Sequence, residues 1–379
     1  MIELLVSAVV VPLYWTLDCA PWLLAVPMLA ALWMLRRRRR WLVVVPMLAA
    51  CAGAVHRRPG GSFWEVSLGG EPTTCAAVLA QPGVSAIYTT AQGAPDPHDA
   101  KLYDLAWMPE RRALLATYWS DAAPRVIDVD TGAAREVMGL GGVGVSEMTA
   151  TDGRSVYVTA SCGMAEKACA SGWRLDGDTV TTVDVPLRRA AHVALDTATG
   201  RQWWAEDGHR GVAVTGDRSD TLPIGPVVWK LDVDAARRRV FVADFYFGGR
   251  LHAIDADTFA EVASVRVAPV LTDVAADSAR DRVYVARPFG SAISALDADT
   301  LAEVAVLPAP FGVRELDVDP EAGRIVAGSF FAARAVVLDA DGSTVREIRT
   351  GGPVRGVRWM GTHAIALADS ACGVIRLDV

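Results

Sequence analysis

Three stretches of this 379-residue chain repeat one another in its C-terminal half: residues 229–265, 272–307 and 314–348 align almost without gaps. The aspartates that close the third segment of each, Asp255, Asp297 and Asp339, stand 42 residues apart. Each unit reads as four short β-segments separated by turn residues. A period in this range with four strands per unit predicts blades of a β-propeller, because one such sheet cannot bury its faces alone and must stack on copies of itself.

Within a unit, strand A leads into a polar turn such as Asp234-Ala235-Ala236-Arg237. Strand B is the most apolar and β-branched segment (Val240-Phe241-Val242, Val283-Tyr284-Val285, Ile325-Val326-Ala327), as suits a strand covered on both faces. Strand C ends in an Asp-x-Asp turn before strand D. The same frame extends upstream more loosely, giving blades that begin near Tyr103, Ser146 and His192. The unit from Arg355 onward holds three strands, and the segment Val84 to Thr90 is expected to supply its fourth, removing an open sheet edge. The expected fold is all-β: a seven-bladed propeller of four-stranded antiparallel blades over residues 84–379. A short hydrophobic α-helical membrane anchor over 1–58 and a linker over 59–83 are expected to precede it.

The strand B segments Val240-Phe241-Val242-Ala243-Asp244, Val283-Tyr284-Val285-Ala286-Arg287 and Val156-Tyr157-Val158-Thr159-Ala160 resemble the YVTN-type repeat of bacterial propellers. That resemblance covers about residues 84 to 379. It implies fold rather than function, since the architecture hosts enzymes, receptors and scaffolds alike.

Residues 1–58 have another character. Three apolar runs, Leu4 to Leu17, Trp22 to Leu35 and Trp41 to Val55, are broken by Asp18-Cys19-Ala20-Pro21 and by five arginines, Arg36 to Arg40. Each run falls short of the roughly 20 residues of an untilted span, so two or three marginal crossings are expected. The arginines place their side in the cytoplasm and the propeller outside it. A second reading stands beside this one: Leu48-Ala49-Ala50-Cys51 resembles a lipoprotein processing site, with Cys51 lipidated and residues 1–50 removed. Both put the propeller on the extracytoplasmic side of a bacterial membrane. Three Lys against 34 Arg suit a GC-rich bacterial genome.

Residues 59–379 carry 30 basic and 42 acidic side chains, a formal net charge of −12. Such a domain is a poor partner for nucleic acid, whose phosphates demand basic patches. An oxidising compartment suits the cysteines. Cys162 and Cys169 flank a short loop and are expected to bridge; Cys75 and Cys372 are the remaining pair, and a bridge between them would lock the ring.

No Gly-x-Ser-x-Gly, His-Glu-x-x-His or P-loop occurs, and the six histidines show no ligand spacing. The Asp-x-Asp pairs at 128/130, 176/178, 255/257, 297/299 and 339/341 read better as turn caps than as calcium sites, since they recur at the same turn. Asp196, Thr199, Gly200 and Trp204 resemble the tryptophan-docking motif of quinoprotein dehydrogenases, which implies a quinone cofactor only where the motif repeats; here it occurs once. Two sets of residues carry the functional expectation. Just before the first buried apolar residue of strand A in the first six blades, Asp104, Glu147, His192, Lys230, Asp273 and Glu315 should ring the channel mouth, with Arg314 and Arg355 adjacent. The B–C loops carry aromatics: Tyr118, Trp119, Phe245, Tyr246, Phe247, Phe289, Phe330 and Phe331. The expected function is a membrane-anchored module that binds a protein or small molecule through the loop face and the channel mouth, without a cofactor. The alternative is a lactonase-like hydrolase with a divalent cation in the channel.

Overall fold

The computed structural model describes residues 73–88, 102–118, 123–137, 145–161, 171–187, 190–206, 211–225, 228–245, 249–319, 321–361 and 363–379. The apolar runs of 1–58, Cys51, Trp119, Cys162, Cys169, Tyr246 and Phe247 lie outside these residues, as does the side chain of Glu147. Among the described residues no helix is long and apolar enough to cross a membrane.

Seven four-stranded antiparallel sheets are present, each made of strands in the order A-B-C-D. Their A strands are β2 (Leu102–Met108), β6 (Val145–Thr151), β10 (Ala190–Asp196), β14 (Val228–Asp234), β18 (Val274–Asp277), β22 (Val313–Val318) and β26 (Val354–Trp359). Each A strand packs against the A strand of the next sheet, and β26 packs against β2, so the sheets form a closed seven-bladed propeller.

Strand B shows why the blades stack. In β15 (Arg239–Asp244), Val240 and Val242 join Trp203 and Val228 on the side of the third blade, whereas Phe241 and Ala243 join Val274 and Val283 on the side of the fifth. The two-residue alternation of a strand thus feeds two different inter-blade cores. All four side chains are fully buried. The outer D strands are largely exposed, as in β17 (Ala260–Arg266). Where blades approach most closely the sequence uses glycine: a Cβ on Gly172 of blade 2 would lie 2.4 Å from the Trp204 ring of blade 3.

Blade 7 is completed from the other end of the chain. β1 (Val84–Tyr88) pairs antiparallel with β28 (Gly373–Asp378), from Val84 opposite Leu377 to Tyr88 opposite Val374. A short helix, α1 (Cys75–Leu79), precedes it, capped by Thr74 and joined by a Cys75–Cys372 disulfide. Gln81 pairs with the backbone of Arg349 in blade 6, donating at 2.7 Å and accepting at 3.0 Å. Tyr88 donates to the Val129 carbonyl of blade 1 at 2.7 Å. One N-terminal segment therefore ties three blades together.

Three of the five Asp-x-Asp turns are caps of one form. Asp128, Asp255 and Asp297 each accept from the backbone N–H groups two and three residues on and from the Thr131, Thr258 or Thr300 hydroxyl. The quinoprotein-like segment is also packing and turn. Thr199 donates to Asp196, and the buried Trp204 donates to Thr215 at 2.8 Å beneath blade 2.

Candidate functional site

The innermost strand of a propeller blade has no inward partner, so the N–H groups on its channel side need other acceptors. Here side chains of the preceding blade supply them. Asp232 of blade 4 accepts from Ala276 of blade 5, Asp273 of blade 5 from Leu316 of blade 6, and Asp317 of blade 6 from Trp359 of blade 7, at 2.8, 2.7 and 2.8 Å. The second oxygen of each accepts from the N–H of the following residue, Val233, Val274 or Val318. His192 Nδ1 does the same for Leu231 at 3.3 Å. Burial, with the charges of Lys230 and Arg358, pushes the His192 pKa well below its usual range, which keeps the imidazole neutral.

Of the sequence-predicted ring, Lys230, Asp273, Glu315 and Arg314 are brought together, but not as one aperture of open groups. Lys230 Nζ lies 2.8 Å from Glu315 Oε2 and 3.9 Å from Asp273 Oδ1, reaching across from blade 4 to blade 6. Arg314 Nε stands 3.2 Å from Glu315 Oε1. Asp104 faces Arg358 at 3.2 Å, a partner that the sequence reading did not name. Burial pushes the Glu315 carboxyl up to about 7 and Asp232 up to about 6, and raises Asp273 and Asp317 as well. Asp104, Lys230 and Glu315 are almost wholly buried and make a floor of mutually engaged charges. Among the described residues no three His, Cys, Asp or Glu side chains stand where they would hold one ion. The carboxylate oxygens of Asp232, Asp273 and Asp317 are already engaged by backbone N–H groups.

Above this floor, at the start of strand A, the backbone does something the sequence does not announce. In six blades the pairing of A with B shifts register at this point. In blade 5, Thr272 and Asp273 together face Ala286, through Thr272 N–H to Ala286 O at 3.2 Å and Ala286 N–H to Asp273 O at 3.0 Å. Bulges re-aim side chains and concentrate beside functional sites. The extra residue is Ala191 in blade 3, Trp229 in blade 4, Arg314 in blade 6 and Arg355 in blade 7. In blade 1 it falls at Tyr103 and Asp104.

These bulged residues gather with the loop aromatics. The Arg314 guanidinium lies 4.7 Å from the Tyr103 ring centre and 5.5 Å from that of Phe330. Arg355 lies 4.9 Å from Phe330 and 5.9 Å from Tyr103. Arg314 also donates to the Tyr103 hydroxyl across blade 7. Gly356 lets blade 7 come close to blade 1 here: a Cβ there would sit 3.0 Å from Asp104 Oδ1 and 3.2 Å from Tyr103 O. On the opposite side Trp229 stacks on Phe245, with ring centres 4.8 Å apart. Phe330 meets Phe331 edge-on at 5.4 Å, Phe331 meets Phe311 at 5.9 Å, and Phe311 meets Phe289 at 6.4 Å. An aromatic path thus runs from Phe311, 37% exposed, to the paired guanidiniums. Beside it opens a cleft of about 400 Å³ lined by Pro308, Pro310, Phe311, Ala332 and Arg334.

Two aromatics expected on the exposed loops are core residues instead. Tyr118 ends β3 (Ala113–Tyr118), sharing the face of Leu114 and Ala116, and is 1% exposed; Phe330 is 6% exposed, covered by its neighbours at the mouth. Strand parity carries the signal for Tyr118. Tyr103, Trp229 and Phe311 were missed by sequence reasoning, as were Asp232, Asp317 and Arg358. Asp232 and Asp317 lie two residues along strand A from Lys230 and Glu315, so the same parity would have found them.

No protein-family model matches the chain, and no curated protein matches it in sequence.

Proposed function

We propose that this propeller is a binding module whose ligand enters from the B–C and D–A loop face and is held at the channel mouth. The observation that carries the reading is the repeated register shift at the start of strand A. It brings bulged residues from blades 1, 6 and 7 into one cluster with a B–C loop aromatic, beside buried, mutually engaged charges. Aromatic side chains with a few convergent polar groups are the usual lining of a small-ligand site.

The strand B segments support placing the repeats with the YVTN-type bacterial propellers. Residues 1–58 support a membrane anchor, either as retained spans or as a lipid on Cys51, with the propeller on the extracytoplasmic side. The Cys75–Cys372 bridge fits a compartment where thiols oxidise. Mass spectrometry of the mature N-terminus separates the two anchors.

The binding reading is tested by screening a mixed library of small fragments against the detergent-solubilised full chain by ligand-observed NMR. Hits should weaken with Trp229→Ala and with Arg355→Gln, and stay unchanged with Val304→Ala on the exposed outer strand. A library whose hits ignore both mouth substitutions would contradict the reading.

A further inference from the structure

We propose that His252 is a proton-operated clasp on the outer edge of blade 4. Doubly protonated, it ties the outer strand to the end of strand B; on losing one proton, it lets Glu261 of the outer strand go. The clasp acts apart from the mouth and does not depend on what binds there. Three side chains on three neighbouring strands make it. His252 lies in β16 (Arg250–Asp255), opposite Val242 of β15, on the face that packs against Leu222 and Ile224 of blade 3. Its Nε2 stands 3.2 Å from Asp244 Oδ2 at the end of β15, and its Nδ1 stands 2.8 Å from Glu261 Oε1 in β17. An ionised carboxylate accepts hydrogen bonds and donates none, and a neutral imidazole has one N–H. Both contacts are therefore hydrogen bonds only while both ring nitrogens carry protons.

Burial decides which contact yields. His252 and Asp244 are 4% and 0% exposed, and Asp244 Oδ1 has no partner among the described residues. Losing the imidazole too would leave that carboxylate unpaired away from water. The Glu261 side chain is 40% exposed and can turn to solvent. The remaining N–H thus stays with Asp244, Nδ1 presents a lone pair to Glu261, and Glu261 leaves. Burial works against the charged imidazole, but the hydrogen bonds to Asp244 and Glu261 outweigh it and hold its pKa above the usual value. The clasp's contribution is fully present below about 6.5, the usual histidine value, and is lost as pH rises through the raised one. The other charged groups nearby hold their state over this range. Arg250, on the same strand, donates to the Ser264 hydroxyl at 3.0 Å, and Arg266 stands opposite Arg250 on β17. On the side of blade 3, Arg218 lies 4.9 Å from the Phe259 ring and pairs with Asp220 at 2.8 Å.

Blade 5 makes the same tie with parts that do not titrate near neutrality. Its strand B ends in Arg287, whose Nη1 lies 3.6 Å from Glu303 of the outer strand β21 (Glu303–Pro308). Ser294, in the place of His252, donates to Glu303 Oε2 at 2.7 Å. An arginine keeps its charge at every pH at which the protein is folded. The two neighbouring outer strands are thus fixed by one device, and the blade 4 copy answers to a proton where the blade 5 copy does not.

Two readings on the detergent-solubilised full chain test this. Histidine-selective carbon-13 NMR follows the six imidazoles with pH, His252 being the signal missing from His252→Gln. It should titrate above about 6.5, and Glu261→Gln, a change at a half-exposed position that spares the fold, should lower that value by at least about half a unit. Hydrogen exchange, corrected for its intrinsic pH dependence, compares β17 with β21 between about pH 6 and about pH 9. Protection of β17 should fall at least about threefold relative to β21 as His252 loses its proton. Glu261→Gln should remove the difference between the two ends of that range. A His252 that titrates at or below about 6.5, or a β17 that keeps its protection relative to β21 throughout, would overturn the clasp. So would a Glu261→Gln chain in which both readings are unchanged.

Discussion

Glu315 has a very different environment in the folded chain from the one it has in the unfolded chain. Burial lifts its carboxyl to about 7, with Lys230 and Arg314 opposing and Asp273 and Asp104 reinforcing the shift. Asp232 and Asp369 are lifted to about 6, also by burial, against the backbone N–H groups that each accepts. A folded-state pKa above the unfolded value means that the native protein binds more protons across that interval, so stability falls as pH rises. The contribution is fully present below the unfolded carboxyl pKa and is lost through about pH 6 to 7. Capped turn aspartates such as Asp128 and Asp255 are shifted down by the Thr131 and Thr258 backbone bonds, and their contribution is lost only at lower pH. These carboxyls should therefore lower the melting temperature from about pH 5 toward about pH 8, opposed below about pH 6.5 by His192, whose depressed pKa adds stability as pH rises. Glu315→Gln should flatten that decline. A profile with its maximum at about pH 8, or one unchanged by Glu315→Gln, would contradict the buried-carboxyl account.

At the scale of the strand, strand B does most of the holding, because its two faces belong to different cores. Phe241 is fully buried among Leu251, Leu271, Val274 and Val283. Phe241→Ala should cost about 3–5 kcal/mol in equilibrium unfolding, from lost transfer energy and the cavity left behind. Val262, 46% exposed on the outer strand of the same blade, should change stability by less than about 0.5 kcal/mol when replaced by Thr. Equal losses at the two positions would contradict the inter-blade packing. The same contrast explains what was legible beforehand. Val240-Phe241-Val242 and its copies are written in residue type, and so are the Asp-capped turns; the blade count and the role of Val84 to Tyr88 followed from them. The bulges at Trp229, Arg314 and Arg355 are a matter of register between two strands, and no residue type marks them. Arg358 was missed because its partner Asp104 lies 254 positions away, a pairing that only ring closure creates.

For the molecule as a whole, closure is also what makes the site. Tyr103 comes from the first blade, Arg314 from the sixth and Arg355 from the seventh, and they meet because β26 packs on β2. The seventh blade is in turn complete only through β1, which is held by the Cys75–Cys372 bridge and by Gln81 and Tyr88 on the flanking blades. The measurement that tests this most directly is the melting temperature and oligomeric state of a chain lacking residues 73–90, compared with the full chain. Removing that segment exposes the edge of β28 and strips the ladder between Val84–Tyr88 and Gly373–Asp378, whose cross-strand pairs are worth roughly 0.2–1 kcal/mol each. Because each blade is supported by its neighbours around the ring, the loss should spread to all of them. The account predicts a large fall in melting temperature with association through the open edge. A shortened chain that melts as the full one does, as a monomer, would show that the ring does not close through this strand.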